Sequence, residues 1–575
     1  LELIISNLRI PVEKDGIDEY VKAASQKLEF GAETIKFSRM LSKSLDMSDK
    51  DQFFYDVSVV VTVPDNFDNR QDFPAYNACN CKTQETVATS PGRLWSRHMR
   101  VNTTLHNAGT DKSGGRGLSE PQLSIHPLEK TEKPANIKER PIIVGFGPAG
   151  MFAALELLNY GIRPIIFERG KKIEERDIDV QKFVRERELD PESNIQFGEG
   201  GAGSYSDGKL FSRIRNNSGY VNRVLDTLIK FGAPEEIGYI SKPHLGTDVL
   251  CRIVRNIRNH VLERGGEIHY NSKLTDIISS DGKIRGVVVN GEKEYLSSTV
   301  YLAVGHSARD TFEILHGKGV AIEQKPISVG VRVEHPAEII NLIRYGYKYK
   351  DFRGIGAATY SFNHTDRKTG RGAYTFCMCP GGEVVNASSE KGMLVLNGMS
   401  YSRRASPFSN SAIAVTCRTD DYKTASPLAG IEFQKDMERR AFNATGGTWR
   451  APAQNLMDFL NRKNSLELNE NSYKMGVASV NMNEILPGFV CESLATAFNK
   501  WKEDYPLFVS EHAILLGVET RTSSPVKIMR NEKYESVNMG NLYPIGEGSG
   551  YTGGITSSAA DAIKAVELSA LSHLQ

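Results

Sequence analysis

Ile142, Ile143 and Val144 pass without a break into Gly145, Gly147 and Gly150, and these into an apolar stretch from Met151 to Asn159. A short run of β-formers, a glycine turn and a helical pattern in direct succession predict strand, tight loop and helix. Each glycine at this spacing has a task. The first permits the tight turn, the second lets backbone approach a pyrophosphate, and the third lets the helix pack closely on the strand. The helix start then faces the phosphates with unpaired amides and the positive end of its dipole. A second apolar run, Pro164 to Phe167, ends at Glu168, where a carboxylate can accept hydrogen bonds from ribose hydroxyls. The stretch is expected to bind a dinucleotide.

A second nominal match, Gly198, Gly200 and Gly203, lacks that context. Asn194 to Phe197 makes a poor strand, and Ser204, Ser206, Asp207 and Gly208 open no convincing helix. The segment reads as a flexible loop, lying either against the cofactor or on the surface. Near the C-terminus, Tyr543, Pro544 and Ile545 lead into Gly546, Glu547 and Gly548, then Gly550, Gly553 and Gly554, and a helix of small residues from Ile555 to about Leu568. Such a turn before a helix can hold a ribityl and pyrophosphate chain, with the dipole facing the flavin edge. Two distant nucleotide-contacting segments point to FAD as cofactor.

The rest of the chain sets bounds. Its 575 residues suffice for two to four domains. The 71 basic and 70 acidic side chains nearly cancel, so bulk charge gives no drive towards DNA or an anionic membrane. No apolar run reaches the ~18 residues of a membrane span, and Leu1 to Ile10 lacks the pattern of a signal peptide, so a cytoplasmic location is expected. Residues 1–63 read as a small N-terminal α+β unit, with a helix from Ile17 to Leu28 and a strand through Val57, Val59 and Val61. Residues 64–139 read as a partly ordered linker. Further helices are expected around Val221 to Ile229 and Val249 to Ile257, and strands around Ile268, Ile277, Val287 to Val289 and Val300 to Val304.

The motifs RPIIVGFGPAGMFAAL (140–155), QFGEGGAGSYSDGKL (196–210), LAVGHSARDTFEIL (302–315), FCMCPGGEVVNASSE (376–390), TRTSSPVKI (520–528) and YPIGEGSGYTGGITSSAADAI (543–563) resemble the bacterial FAD-dependent dehydrogenases, also labelled NAD(P)/FAD-dependent oxidoreductases. More loosely, the chain is similar to the glutathione-reductase-like FAD superfamily. The resemblance implies an α/β fold. In it a Rossmann-like FAD-binding domain is split along the chain into 140–320 and 536–575, around a mixed α+β substrate domain at 321–535 and behind the small N-terminal domain. Motifs and resemblance together mark Gly145, Gly147, Pro148, Ala149, Gly150, Glu168, Arg169, Gly305, Gly546, Glu547, Gly553, Gly554 and Ile555 as candidate cofactor contacts.

No side chain declares itself catalytic from sequence. His306 is a candidate acid or base because it titrates near neutrality, although a histidine fixing a loop is the plainer reading. Lys209 or Arg521 could meet an anionic substrate or the flavin, or form structural ion pairs. Seven cysteines suit reduced thiols. Cys79 with Cys81 and Cys377 with Cys379 are spaced too closely for a usual zinc site, and no metal is expected. In an extended strand Cys377 and Cys379 would share a face without good disulfide geometry, which favours packing or reduced thiols over redox chemistry.

The leading expectation is an FAD-dependent oxidoreductase that passes hydride between flavin and a small organic substrate, with NAD(P)H or a protein as a transient electron donor. The alternatives are a flavin monooxygenase and a non-enzymatic FAD-binding protein whose N-terminal domain recruits RNA or protein.

Overall fold

The short apolar strands that carry the glycine turn lie at the middle of a parallel sheet. In this computed structural model, which describes residues 1–69, 71–76, 139–210 and 218–573, strands of only three residues are buried on both faces. That burial explains a continuous apolar run where an exposed sheet would alternate.

The N-terminal unit contains β1 (Glu2–Pro11), α1 (Ile17–Leu28), β2 (Lys36–Asp46) and β3 (Phe54–Thr62), with an antiparallel sheet in the order β1-β3-β2. Val57, Val59 and Val61 alternate onto one face, where they meet Tyr20, Ala24 and Leu28, spaced one helical turn apart on α1, in a core of the unit's own. The chain stays with this sheet beyond residue 63. Pro74 and Tyr76 exchange backbone hydrogen bonds with Ile4 and Glu2 on the edge of β1, so the unit reaches Tyr76. The expected linker otherwise falls largely outside the described residues, as do Cys79 and Cys81.

The nucleotide-binding unit follows with β4 (Ile142–Val144), α2 (Pro148–Asn159), β5 (Ile165–Phe167), α3 (Ile173–Glu186), α4 (Ser218–Lys230), α5 (Thr247–Glu263) and β6 (Glu267–His269). A small antiparallel sheet of β7 (Leu274–Ser280), β8 (Lys283–Val289) and β9 (Lys293–Leu296) precedes β10 (Val300–Leu302) and α6 (Arg309–Gly317). On α5, Val249, Leu250, Ile253, Val254, Ile257 and Val261 are buried at the helical period read from the sequence.

The remaining domain is entered through β11 (Ile322–Gln324). Its elements are β12 (Ile327–Pro336), α7 (Ala337–Tyr349), β13 (Asn363–Thr365), β14 (Gly372–Cys379), β15 (Glu383–Asn386), β16 (Leu396–Met399), β17 (Phe408–Cys417), α8 (Ala429–Ala444), β18 (Ala451–Asn455), α9 (Leu456–Leu460), β19 (Val477–Ser479), α10 (Met482–Ile485), α11 (Gly488–Asp504) and β20 (Ile514–Glu519). Seven of these strands form a mixed sheet in the order β13-β14-β17-β12-β20-β18-β19. The chain leaves through β21 (Val526–Ile528), which pairs antiparallel with β11, so exit and entry lie side by side.

It then returns to the nucleotide unit as β22 (Leu542–Pro544) and α12 (Ile555–His573). β22 pairs in parallel with β10 and completes the sheet order β22-β10-β4-β5-β6, while α12 packs on α2. The helix continues past the expected Leu568, because Ala565, Val566 and Ala570 keep facing the core.

Candidate functional site

Four close approaches draw separate parts of the chain together beyond the carboxyl ends of β4, β10 and β22. A Cβ placed on Gly147 would stand 3.5 Å from Gly201 Cα, and one on Gly203 would stand 3.0 Å from the Ile555 side chain and 3.5 Å from the Pro148 ring. One on Gly546 would stand 2.6 Å from Ala149 Cβ, and one on Gly548 would stand 2.7 Å from the Gly305 carbonyl oxygen. Ligands of open α/β sheets bind at this end of the strands. Gly145, at φ 97°, holds a turn that other residues adopt only at a cost, and its own oxygen lies where a Gly150 Cβ would sit, 2.0 Å away. The start of α2 has Gly147 as its cap and no side-chain capping bond, which leaves first-turn amides for a ligand. Around Gly305 and Gly554 no heavy atom lies within 4 Å of a built Cβ. A long cradle lined by backbone, with amides at a helix start, fits the pyrophosphate and ribityl chain of FAD.

Glu168 does more than end a strand. Its carboxylate accepts from the amides of Phe146 at 2.8 Å, Gly170 at 3.0 Å and Gly198 at 3.0 Å, so it staples the first glycine turn to the second glycine segment. Three of its about four acceptor positions are thereby used, and one is left for a ribose hydroxyl. Neighbouring Arg169 forms ion pairs with Asp310 and Glu192 and stacks over Phe197, 4.0 Å from the ring centroid.

The expected flexible loop at 198–203 is corrected by the structure. Arg176 is fully buried on α3 and donates to the carbonyls of Asn194, Ile195, Gly198, Glu199 and Gly201 at 2.7–3.3 Å. Glu199, also fully buried, accepts from the Ile173 amide, the Tyr270 hydroxyl and Arg258. A loop held by a charged fork inside the protein is pinned to the cofactor cradle. Its Gly201 lies against Gly147.

Two candidates from separate motifs meet. His306 Nδ1 lies 3.7 Å from Glu547 Oε2, and its buried Nε2 has no partner. Burial raises the Glu547 carboxyl, and the nearby His306 imidazole more than offsets this and holds it below the ordinary value. Half-buried Lys325, which the sequence does not single out, lies within Coulombic reach of Glu547. Burial holds its amine low against that attraction.

The other candidates are already engaged. Lys209 pairs with Asp207 at 3.0 Å and contacts the Met378 carbonyl. Arg521 pairs with Glu438 at 2.8 Å and donates to Ser389 at 2.7 Å, so it holds the domain joint. Among the described residues, no cluster of three or more His, Cys, Asp or Glu side chains could hold a metal ion. Cys377 and Cys379 depart from the regular strand expected of them. The β14–β17 register slips between Phe376 and Cys379, and Cys377 takes φ 44°.

Residues 326–522 match the family described as FAD-dependent protein, C-terminal domain-like. An uncharacterized protein of Clostridium beijerinckii is 47% identical over 433 residues, covering 75% of this chain and 80% of that protein. The chain belongs to this family of FAD-dependent proteins, and its cofactor is FAD. Among solved structures, glycerol-3-phosphate dehydrogenase of Bacillus halodurans complexed with FAD is similar at 11% identity and a TM-score of 0.34, covering 76% of this chain and 64% of that one. An L-amino acid deaminase of Proteus vulgaris is similar at 14% identity and a TM-score of 0.23, covering 36% and 63%. These two distant likenesses carry no weight for the chemistry. Among the described residues no helix is long and apolar enough to cross a membrane.

Proposed function

We propose that the chain is an FAD-dependent oxidoreductase, a dehydrogenase or reductase, whose organic substrate is held between the nucleotide unit and the domain at 326–522. Bound FAD supplies hydride and electron transfer. The protein's share is to bind, orient and handle protons. The amides at the starts of α2 and α12, with Gly145, Gly147, Pro148, Ala149 and Gly150 on one side and Gly546, Gly553, Gly554 and Ile555 on the other, hold the pyrophosphate and ribityl chain, and Glu168 offers its remaining acceptor to a ribose. NAD(P)H or a protein partner donates or accepts electrons transiently, and the setting is cytoplasmic.

The observation that carries an enzymatic reading is His306. A buried ring nitrogen without a partner costs free energy unless a ligand completes it. With Glu547 beside Nδ1, His306 can hold or pass a proton at Nε2. The test is anaerobic bleaching of the flavin by alcohols, amines, 2-hydroxy acids and amino acids. One class should bleach it saturably, and His306→Asn should slow that bleaching by about 10²-fold or more at unchanged FAD content. Oxygen uptake that requires both NAD(P)H and substrate, with no anaerobic bleaching by the substrate alone, would instead identify a monooxygenase.

A further inference from the structure

We propose that Cys377 and Cys379 form a thiol–disulfide exchange site, in which Cys377 attacks a small disulfide and Cys379 resolves the product. The proposal stands apart from the hydride-transfer reading, because the exchange needs only the two thiols and the disulfide.

The backbone puts the pair within reach of each other. In a regular strand, residues two apart share a face but stand too far apart to bond. Here the bulge after Phe376 and the left-handed conformation of Cys377 fold the dipeptide back. Cys379 Sγ lies 3.3 Å from the Cys377 carbonyl oxygen and donates to it. A non-glycine residue held at φ 44° inside a sheet is a strain of the kind that collects at working sites.

Charge then separates the roles. Arg332 Nη2 donates to the Cys377 carbonyl at 2.9 Å and lies 3.8 Å from Cys379 Sγ, while Lys209 contacts the Met378 carbonyl between them. Three cations gather here, Arg332, Lys209 and Arg404, against the carboxylates of Glu519 and Asp207. The Cys379 thiol, Lys209 and Arg332 together hold Cys377 below the ordinary thiol value, while Cys379 is held above it as the protonated partner. Three other groups around the cluster titrate. Burial raises Glu519, paired with Arg332, and Glu334, near Arg332, each to about 7, and burial holds His244, beside Asp207 and Arg404, below its ordinary value. Cys377 is partly exposed and follows the exposed Phe376, whereas Cys379 is fully buried. An incoming disulfide therefore meets Cys377 first.

The chemistry balances. The Cys377 thiolate attacks one sulfur of the disulfide, a mixed disulfide forms, and the first thiolate departs with the bond's electron pair. Cys379 then loses its proton and attacks Cys377 Sγ, which releases the second thiolate. The external disulfide is reduced to two thiols, and the pair is oxidised to one intramolecular disulfide.

The test uses reduced holoprotein, oxygen-free, in a background with Cys79→Ser and Cys81→Ser, mixed with 5,5′-dithiobis(2-nitrobenzoate), whose released thiolate is coloured. A fast phase should release two thiolates per chain, and peptide mapping should find Cys377 joined to Cys379. Its rate should be half-maximal at a pH well below that of an ordinary thiol, and Lys209→Met should move that midpoint up by about one unit. With Cys379→Ser the fast phase should release one thiolate and leave the label on Cys377, and with Cys377→Ser it should vanish. Mapping the native pair makes the test independent of whether either variant folds. Absence of a fast phase in the folded protein, or a label that stays on Cys377 while Cys379 is present, overturns the proposal.

Discussion

Gly147 and Gly150 stand three residues apart and meet different surroundings, so the same substitution should do different damage at each. A methyl on Gly150 would sit 2.0 Å from the Gly145 carbonyl oxygen, where only movement of backbone can relieve it. Gly150→Ala is expected to cost about 1–3 kcal/mol of stability, read as a lowered Tm of the apoprotein. A methyl on Gly147 meets nothing closer than 3.5 Å, so Gly147→Ala should fold normally and Gly147→Val should fold yet lose most of its FAD. The ratio of flavin absorbance to protein checks the second outcome. The glycines were legible in the sequence because a turn's backbone needs are local and are written in the residue that meets them. Arg176 was not legible. Its partners are carbonyl oxygens, which every residue supplies, so no spacing rule announces a guanidinium that holds five of them. Lys209 and Arg521 were visible only as charges, and their contacts with the Met378 carbonyl and with Glu438 come from distant parts of the chain.

At the scale of elements, the ion pairs that Glu438 makes between α6 and α8 are a joint exposed to acid. Glu438 of α8 is fully buried between Arg309 at the start of α6 and Arg521 just beyond β20, at 2.7 and 2.8 Å. Burial alone would raise its carboxyl, and the two guanidinium groups reverse this and hold it well below the usual carboxylate range. A depressed carboxyl contributes stability that is present above the unfolded value near ~4.3 and is lost as pH falls towards the folded one. Glu438→Gln should cost about 3–5 kcal/mol at neutral pH, because it leaves two buried cations short of charge. It should also flatten the acid side of the stability curve. Urea midpoints of both proteins from neutrality down to about pH 2 check both expectations. Regular elements were the most readable part of the chain. α1 spans the residues its apolar spacing marks, and α2 differs only in starting at Pro148, a residue suited to the first helical turn. The irregular place in β14 left no such trace, since neither Phe376 nor Cys377 belongs to the glycines and asparagines that usually mark a left-handed residue.

Across the whole molecule, the N-terminal unit docks on the domain at 326–522 and on the nucleotide unit, away from the glycine cradle. Phe53 stacks on Tyr349 with ring centroids 4.3 Å apart, Tyr349 reaches Glu13 at 2.6 Å, and Lys43 shares backbone hydrogen bonds with Tyr239 and Ser241. A chain beginning shortly before Arg140 should therefore keep its FAD while losing stability where Tyr345 and Tyr349 become exposed. Flavin content and Tm of that fragment separate the two effects. The cradle also bears on the electron donor. Gly147 and Gly201 lie close together, so one cradle is expected to take one nucleotide, and free NADH or NADPH should bleach the flavin slowly in anaerobic stopped flow. Rapid, saturable bleaching by either nucleotide alone would reveal a second productive site. The sheet order β22-β10-β4-β5-β6 has one more consequence, for synthesis on the ribosome. Chains are made and folded from the amino end, so β4, α2 and β5 emerge long before the strand and helix that complete their sheet. Until Leu542–His573 has been translated, a nascent chain lacks the strand and helix that complete this sheet, its apolar edge stays open, and cofactor capture waits on that segment.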